Sequence, residues 1–81
     1  MRIRILFFAA YRELLGTGER YLDLPEPATV SDLLQELWAL GEPYSFLPAT
    51  PVTAVNRHFA SPDTPLEDGD EVALVPPVAG G

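Results

Sequence analysis

The sequence predicts an α+β fold in which one main helix lies across a small mixed sheet. Two observations predict it: segments that alternate apolar and polar residues open and close the chain, and one segment with clear helical spacing lies between them. The chain has 81 residues, of which 47% are hydrophobic and 21% are charged. We therefore expect a single domain with one small core, too short to include a separate substrate domain.

A first strand is predicted over residues 2–8, because apolar and polar residues alternate at its start. One side of this strand is apolar: Ile3, Ile5 and Phe7. The other side is mixed, and a small domain would struggle to bury it: Arg2, Arg4, Leu6 and Phe8. A short helix is expected next over residues 9–15, ending at Gly16, with its apolar side formed by Ala10, Leu14 and Leu15.

The main helix is predicted to begin after Thr29, which serves as its N-cap, with Asp32 in the first turn. Its apolar stripe repeats at steps of three or four and ends at Gly41: Leu33, Leu34, Leu37 and Leu40. A second strand over residues 20–24 precedes this helix and is expected to pair with the first strand.

The second half of the chain contains the remaining strands. Three prolines predict an irregular loop over residues 42–51, with at most one helical turn at residues 44–47. A third strand is predicted over residues 52–55, followed by a tight Asn56-Arg57 turn and a short return strand over residues 58–60. A turn over residues 66–70 leads into the final strand over residues 71–75.

This order of elements places the first and last strands side by side at the centre of the sheet, with the helix as the crossover between two terminal hairpins. That is the β-grasp, or ubiquitin-like, arrangement. We expect the β-grasp domain to span residues 1–75 and an extended, flexible C-terminal tail to span residues 76–81.

The tail reads Pro76-Pro77-Val78-Ala79-Gly80-Gly81. Prolines favour an extended backbone, so six residues reach about 19 Å at about 3.1 Å each. The two glycines have no side chains, so the last carbonyl could pass through a narrow channel in a partner. A frayed chain end or a cloning remnant is the alternative explanation of this ending.

Composition excludes several classes of function. The net charge of −7 disfavours nucleic acid and favours a basic protein partner. The chain has no cysteine and one histidine, His58, so no thiolate nucleophile, disulfide or metal site is expected. It has no lysine, so a tag that builds chains on itself would have only the N-terminus as acceptor amine. With no bilayer-length apolar stretch and no signal peptide pattern, we expect a cytoplasmic protein that does not enter membranes.

Several motifs together resemble those of a known family: Leu6-Phe7-Phe8-Ala9, Arg12-Glu13-Leu14-Leu15-Gly16, Ala54-Val55-Asn56, Asp68-Gly69-Asp70-Glu71-Val72-Ala73 and Pro76-Pro77-Val78-Ala79-Gly80-Gly81. Over nearly its whole length the chain resembles the small, sulfur-carrying subunits of molybdopterin synthases. The Gly-Gly ending and the Gly-Asp-Glu-Val strand start are also typical of the thiamine-pathway sulfur carriers. The Phe-Phe-Ala opening with its Arg-Glu-Leu helix, combined with the Pro-Pro-Val stalk, is more discriminating.

The resemblance implies that the Gly81 carboxylate is adenylated by an activating enzyme and converted to a thiocarboxylate. The sulfur then passes to cyclic pyranopterin monophosphate in the large synthase subunit, within a heterotetramer. The chain has no phosphate-binding loop, so ATP would be used by the activating partner and no cofactor is expected on the chain itself. On this view the chain is a subunit and sulfur-donating co-substrate, without catalysis of its own.

Two alternatives stay open at this stage. The same tail could serve a sulfur carrier for thiamine synthesis or tRNA thiolation, or the chain could be a β-grasp interaction module whose glycines do no chemistry. The mixed outer face of the first strand predicts a partner interface beside the tail, formed by Leu6, Phe8, Phe59 and Val75. The alternative is that Phe8 packs beneath the short helix. No role is assigned to the loop over residues 42–51.

Overall fold

The computed structural model describes residues 1–77 and consists of a five-stranded sheet, two α-helices and a short 3-10 helix. The strands are β1 (Arg2–Phe7), β2 (Glu19–Asp23), β3 (Val52–Val55), β4 (His58–Ala60) and β5 (Glu71–Val75). The helices are α1 (Ala9–Leu15), α2 (Val30–Ala39) and the 3-10 helix (Tyr44–Phe46). The order agrees with the sequence-based prediction, although β1 ends one residue earlier than expected and β2 begins and ends one residue earlier.

The strand order in the sheet is β2-β1-β5-β3-β4. The central strands β1 and β5 are parallel, with Arg4 opposite Glu71 and Phe7 opposite Leu74, whereas all other neighbours are antiparallel. A parallel pair needs a crossover connection, and α2 lies within that connection. The prediction of a mixed β-grasp sheet with the first and last strands at its centre is confirmed.

The core lies on one face of this sheet. Alternate residues of a strand point to opposite faces, and the inward residues of β1 and β5 are at most 1% exposed: Ile3, Ile5, Phe7, Val72 and Leu74. They form one apolar cluster with the buried face of α2, which consists of Val30, Leu33, Leu34 and Leu37. The prediction that Ile3, Ile5 and Phe7 share the apolar side is confirmed.

Helix α2 begins where its capping residues dictate. The backbone N–H of Asp32 donates to Thr29 Oγ1 (3.3 Å), and the Thr29 backbone N–H donates to Asp32 Oδ2 (2.9 Å). This reciprocal capping box satisfies two backbone donors at the helix start. The predicted stripe is correct except at Leu40, which is 41% exposed because it lies at the C-cap, beyond the last helical turn that packs on the sheet.

The short helix α1 packs differently from the prediction. Its buried residue is Tyr11, whereas Ala10 and Leu14 are exposed and Leu15 is half-buried. A seven-residue helix presents barely two turns, so the direction in which it leaves β1 decides which side is buried. Burial raises the pKa of the Tyr11 phenol.

The loop over residues 42–51 contains the single predicted turn as the 3-10 helix. Its Tyr44 ring lies 6.2 Å from the Phe7 ring, and the guanidinium of Arg20 stacks on it at 5.2 Å. These contacts hold the loop against the edge of the core. Within residues 1–77 neither α-helix combines the length and the apolar character needed to cross a membrane.

Candidate functional site

The face of the sheet opposite α2 carries a continuous apolar row. The strand registers place Leu6 of β1 opposite Ala73 of β5, Ala73 opposite Ala54 of β3, and Ala54 opposite Phe59 of β4. Val75 and Val52 are opposite each other one step along the same face, towards the end of β5. We call these six residues the open face.

The four residues predicted to form the partner interface all lie on or beside this open face. Phe59 is 84% exposed, while Leu6 and Val75 are half-buried within the sheet. Phe8 directly follows β1 as the N-cap of α1 and is 47% exposed, so the alternative in which it is buried beneath α1 is wrong. The structure thus places the predicted residues together, and their role in binding stays a prediction.

Three open-face residues were missed by the sequence analysis. Val52, which is 49% exposed, Ala54 and Ala73 alternate with inward-facing neighbours along their strands. That alternation was the available signal, but only the register across β5 and β3 shows that their exposed sides align with Leu6 and Phe59. A contiguous apolar surface of this kind is typical of a protein-binding site.

Paired charges border the open face on the side of β2. Arg4 Nε donates to Glu19 Oε2 (2.8 Å), and Arg4 Nη1 lies 3.6 Å from Glu71 Oε1. The hydrogen bond and charge of Glu19 raise the pKa of the Arg4 guanidinium. Beside them the Arg2 guanidinium lies 4.6 Å above the ring of Tyr21. Arg4 is thus paired with carboxylates and Arg2 lies on an aromatic ring, whereas the open face beyond this border is apolar.

The acidic segment at the start of β5 is a hydrogen-bonded turn, as the sequence predicted. Asp68 Oδ1 accepts from the Arg2 backbone N–H (2.7 Å), and Asp70 Oδ2 accepts from the Glu67 backbone N–H (2.8 Å). Asn56 Nδ2 donates to Asp70 Oδ1 (2.9 Å). Within residues 1–77 no group of three His, Cys, Asp or Glu side chains is placed to hold a metal ion.

Asn56 connects two motifs that are far apart in the sequence, Ala54-Val55-Asn56 and the segment that begins at Gly69. Its side-chain oxygen accepts from the Glu71 backbone N–H (3.0 Å), and its backbone N–H donates to the Glu71 carbonyl (2.8 Å). These bonds fix the β3–β4 hairpin to the start of β5. The Ala-Val-Asn and Gly-Asp-Glu-Val motifs therefore have a structural role: together they position β5, the strand that precedes the tail.

The tail leaves the sheet at the apolar end of the open face. β5 ends at Val75, Pro76 is half-buried, and Pro77 is exposed without regular structure. The predicted tail-insertion residues Val78, Ala79 and Gly80 and the predicted reactive residue Gly81 lie outside the described residues. The point of departure is adjacent to Val52, opposite Val75 in the register.

These features define a class: ubiquitin-like β-grasp proteins in which the last central strand leads directly into a Pro-Pro…Gly-Gly segment. Residues 5–81 match the model of the ThiS family, and the chain belongs to that family.

Relatives of known name match over their full length. The chain is 44% identical over 85 residues to the molybdopterin synthase sulfur carrier subunit of Escherichia coli, covering 98% of this chain and 99% of the relative. It is 37% identical over 83 residues to the protein of the same name from Chlamydomonas reinhardtii, covering 100% of both chains. The resemblance inferred from the motifs is confirmed.

Solved structures share the fold. The crystal structure of SAMP1 from Haloferax volcanii matches with a TM-score of 0.85 and 28% identity, and each chain is fully covered. A chain of the complex of subunits 1 and 2 of molybdopterin-converting factor from Helicobacter pylori matches with a TM-score of 0.73 and 26% identity, again over the whole of both chains.

Proposed function

We propose that this chain is the sulfur-carrier subunit of a molybdopterin synthase and donates sulfur from Gly81 to cyclic pyranopterin monophosphate. The observation that carries the proposal is the full-length similarity to two molybdopterin synthase sulfur carrier subunits at 37% and 44% identity. The Helicobacter pylori complex adds support, because a structural neighbour of this chain is found there with a second subunit. The partner of this chain is accordingly a large synthase subunit.

The proposed chemistry begins with an unreactive group. A carboxylate is ionised at neutral pH and is a poor electrophile, so one of its oxygens must become part of a leaving group. In an activating enzyme, a Gly81 carboxylate oxygen attacks the α-phosphorus of ATP and pyrophosphate leaves. A sulfur nucleophile from a donor then attacks the glycyl carbonyl carbon, and AMP leaves. With a persulfide as this nucleophile the product is an acyl disulfide; a second thiol then attacks the donor's own sulfur and forms a disulfide with it, and the Gly81 thiocarboxylate leaves.

The geometry around β5 suits delivery of this group to a partner. The open face ends where the tail begins, so a subunit that covers Val52, Val75 and Phe59 receives the tail at the edge of the same contact. Aromatic residues contribute strongly to such contacts, and Phe59 presents nearly all of its surface. We infer a heterotetramer with the large subunit, a second, transient contact with the activating enzyme, and a cytoplasmic site of action.

Intact-mass spectrometry tests the chemistry. The chain is incubated with ATP, the activating enzyme of the same organism and a sulfur donor. The expected result is a mass gain equal to the difference between sulfur and oxygen, located on Gly81 by fragmentation. The variant that lacks Gly81 is the control and should gain nothing. An unchanged mass of the intact chain under conditions that load a known carrier would refute the carrier function.

Charge-insertion variants test the partner surface. Phe59→Glu and Phe8→Glu should each reduce co-purification with the large subunit, because a charge on an apolar contact must be desolvated without a partner. The matched control is Phe46→Glu, since Phe46 is 60% exposed but lies in the 3-10 helix, next to α2. Equal retention of all three variants would remove the open face from the interface.

A sulfur carrier with another acceptor is the second candidate, for thiamine synthesis or tRNA thiolation. The match to SAMP1 from Haloferax volcanii, with a TM-score of 0.85, supports this second candidate. SAMP1 is named a small archaeal modifier protein, so the same fold also occurs in proteins that are not named as molybdopterin synthase subunits. Both functions predict the same thiocarboxylate, so the loaded chain must be offered to each acceptor. Molybdopterin formation with the large subunit supports the first function, and sulfur transfer only to another acceptor supports the second.

A further inference from the structure

The apolar row of the open face ends in a charged residue at the edge of the sheet. The register pairs Leu6 of β1 with Glu19, the first residue of β2, and paired residues of antiparallel strands point to the same face. The order along the row is therefore Glu19, Leu6, Ala73, Ala54 and Phe59, one residue from each strand. Four strand spacings of about 4.8 Å separate its two ends, so the row is about 19 Å long.

A protein that covers this row does not stop at Leu6. A stable protein–protein contact buries about 800 Å² on each partner, which corresponds to a patch about 30 Å across. A patch centred on a row of about 19 Å extends past both of its ends. The Glu19 side chain, which is 49% exposed, therefore lies within such a contact or at its rim.

Glu19 is held in a defined position on this face. Arg4 Nε donates to Glu19 Oε2 at 2.8 Å, and the Thr17 hydroxyl donates to the Glu19 backbone carbonyl at 2.9 Å. Within residues 1–77 the other carboxylate oxygen of Glu19, Oε1, accepts no hydrogen bond. A carboxylate that is already positioned loses little conformational entropy when a donor from a partner binds to it.

The charges around Glu19 decide which partner group suits it. Arg4 contacts two carboxylates, those of Glu19 and Glu71, so the three side chains together have a net charge of −1. The whole chain has a net charge of −7. A carboxylate of the partner would be repelled here, and an apolar group would remove water from Glu19 without replacing its hydrogen bonds. A lysine or arginine supplies both the opposite charge and a hydrogen-bond donor.

We propose that Glu19 is a contact residue of the interface and that the large subunit places a lysine or arginine side chain against it. This inference rests on the proposed function, since it identifies the chemistry of the surface that the large subunit presents. That surface has an apolar part, which covers the row from Leu6 to Phe59, and a basic group about 5 Å beyond the part that covers Leu6.

Glu19→Gln tests the proposal, with the purified large subunit of the same organism as the binding probe. Glutamine keeps the shape of the side chain and removes its charge. The dissociation constant should rise about three- to tenfold at low salt, between the losses typical of exposed and of buried ion pairs.

The matched control is Glu36→Gln. Glu36 is also exposed, but it lies on α2, on the other side of the sheet, and its substitution changes the net charge of the chain by the same amount. It should change the dissociation constant by less than about twofold, because a charge far from the contact is screened by salt. Equal effects of Glu19→Gln and Glu36→Gln would overturn the proposal.

Salt dependence and the sign of the change distinguish a basic group from other groups. The loss caused by Glu19→Gln should shrink at about 0.5 M salt, because salt screens an ion pair at the rim of a contact. Tighter binding by Glu19→Gln than by the unchanged chain would overturn the proposal, since it would place a carboxylate or an apolar group of the partner at this position. The thermal midpoint of free Glu19→Gln should fall by at most a few degrees, because exposed ion pairs contribute little to stability.

A double-mutant cycle identifies the basic group. Each exposed lysine and arginine of the large subunit is replaced by glutamine, and its affinity is measured for the unchanged chain and for Glu19→Gln. At one position the two losses should be non-additive, because either substitution alone already removes the ion pair. Additive losses at every position would contradict the proposal. If the unchanged chain fails to bind the large subunit, the proposed function itself fails, whereas binding in which Glu19→Gln behaves like Glu36→Gln refutes only the role of Glu19.

Discussion

Truncation of Phe59 and of Phe7 to alanine makes the same chemical change on opposite faces of the sheet. Phe7 is 1% exposed in the core, whereas Phe59 is 84% exposed on the open face. Phe59→Ala should therefore leave the free chain nearly as stable as before and weaken its complex with the large subunit. Phe7→Ala should strongly destabilise the free chain.

The burial of each ring sets the magnitudes. Full burial of a phenylalanine side chain contributes about 1.5–3 kcal/mol, and only about a sixth of Phe59 is buried, so its truncation removes about 0.3–0.5 kcal/mol of burial. The lower β-propensity of alanine increases this destabilisation by at most about 1 kcal/mol. Phe7→Ala leaves a cavity and costs about 3–5 kcal/mol, a large part of the roughly 4–12 kcal/mol expected of a domain of 81 residues.

Urea denaturation followed by circular dichroism measures both free energies of unfolding, and titration calorimetry measures binding of Phe59→Ala to the large subunit. We expect a dissociation constant at least about tenfold higher, the loss typical of an aromatic residue at the centre of an interface. Destabilisation of Phe59→Ala by more than about 2 kcal/mol would refute the exposure argument. Unchanged affinity would refute the assignment of the open face.

Three further predictions concern the tail, the helix cap and pH. Deletion of Gly81, or Gly80→Leu, should abolish sulfur transfer while thermal melting stays unchanged; a lower melting temperature would show that the tail supports the fold. Thr29→Ala should cost about 1 kcal/mol in urea denaturation by removing the capping box, and no loss would contradict it. Burial raises the pKa of the Tyr11 phenol above its unfolded value near 10, so the contribution of the neutral phenol to the free energy of unfolding is complete below that pH and falls as the pH rises through the folded pKa. Tyr11→Phe should abolish this alkaline fall in thermal melts at pH 7–11. An identical fall in the variant would contradict the prediction.

Local sequence patterns were sufficient to predict those elements in which the spacing of apolar residues is repeated several times. Ile3, Ile5 and Phe7 alternate in β1, and the Thr29 cap with its leucine stripe predicted α2. The pattern failed in α1 because so short a helix carries little periodic information, and its buried side depends on how the backbone turns at Ala9.

The candidate site was predictable in part for a similar reason. Leu6, Phe8, Phe59 and Val75 were identified because each is a large apolar residue beside a strand or the tail. Their alignment with Ala54, Ala73 and Val52 depends on the register of strands far apart in sequence, which no local pattern encodes. The positive φ of Arg57 (72°) likewise follows from the closure of the hairpin.

The parallel pairing of β1 with β5 has a consequence for the order of folding. The two central strands lie near opposite ends of the described chain, so their contact closes a long loop and contributes to slow, non-local folding. The row from Leu6 through Ala73 and Ala54 to Phe59 uses four strands and is complete only when β1 has paired with β5. A partner that needs the whole row would therefore bind the fully folded chain and not one in which β1 and β5 are still apart.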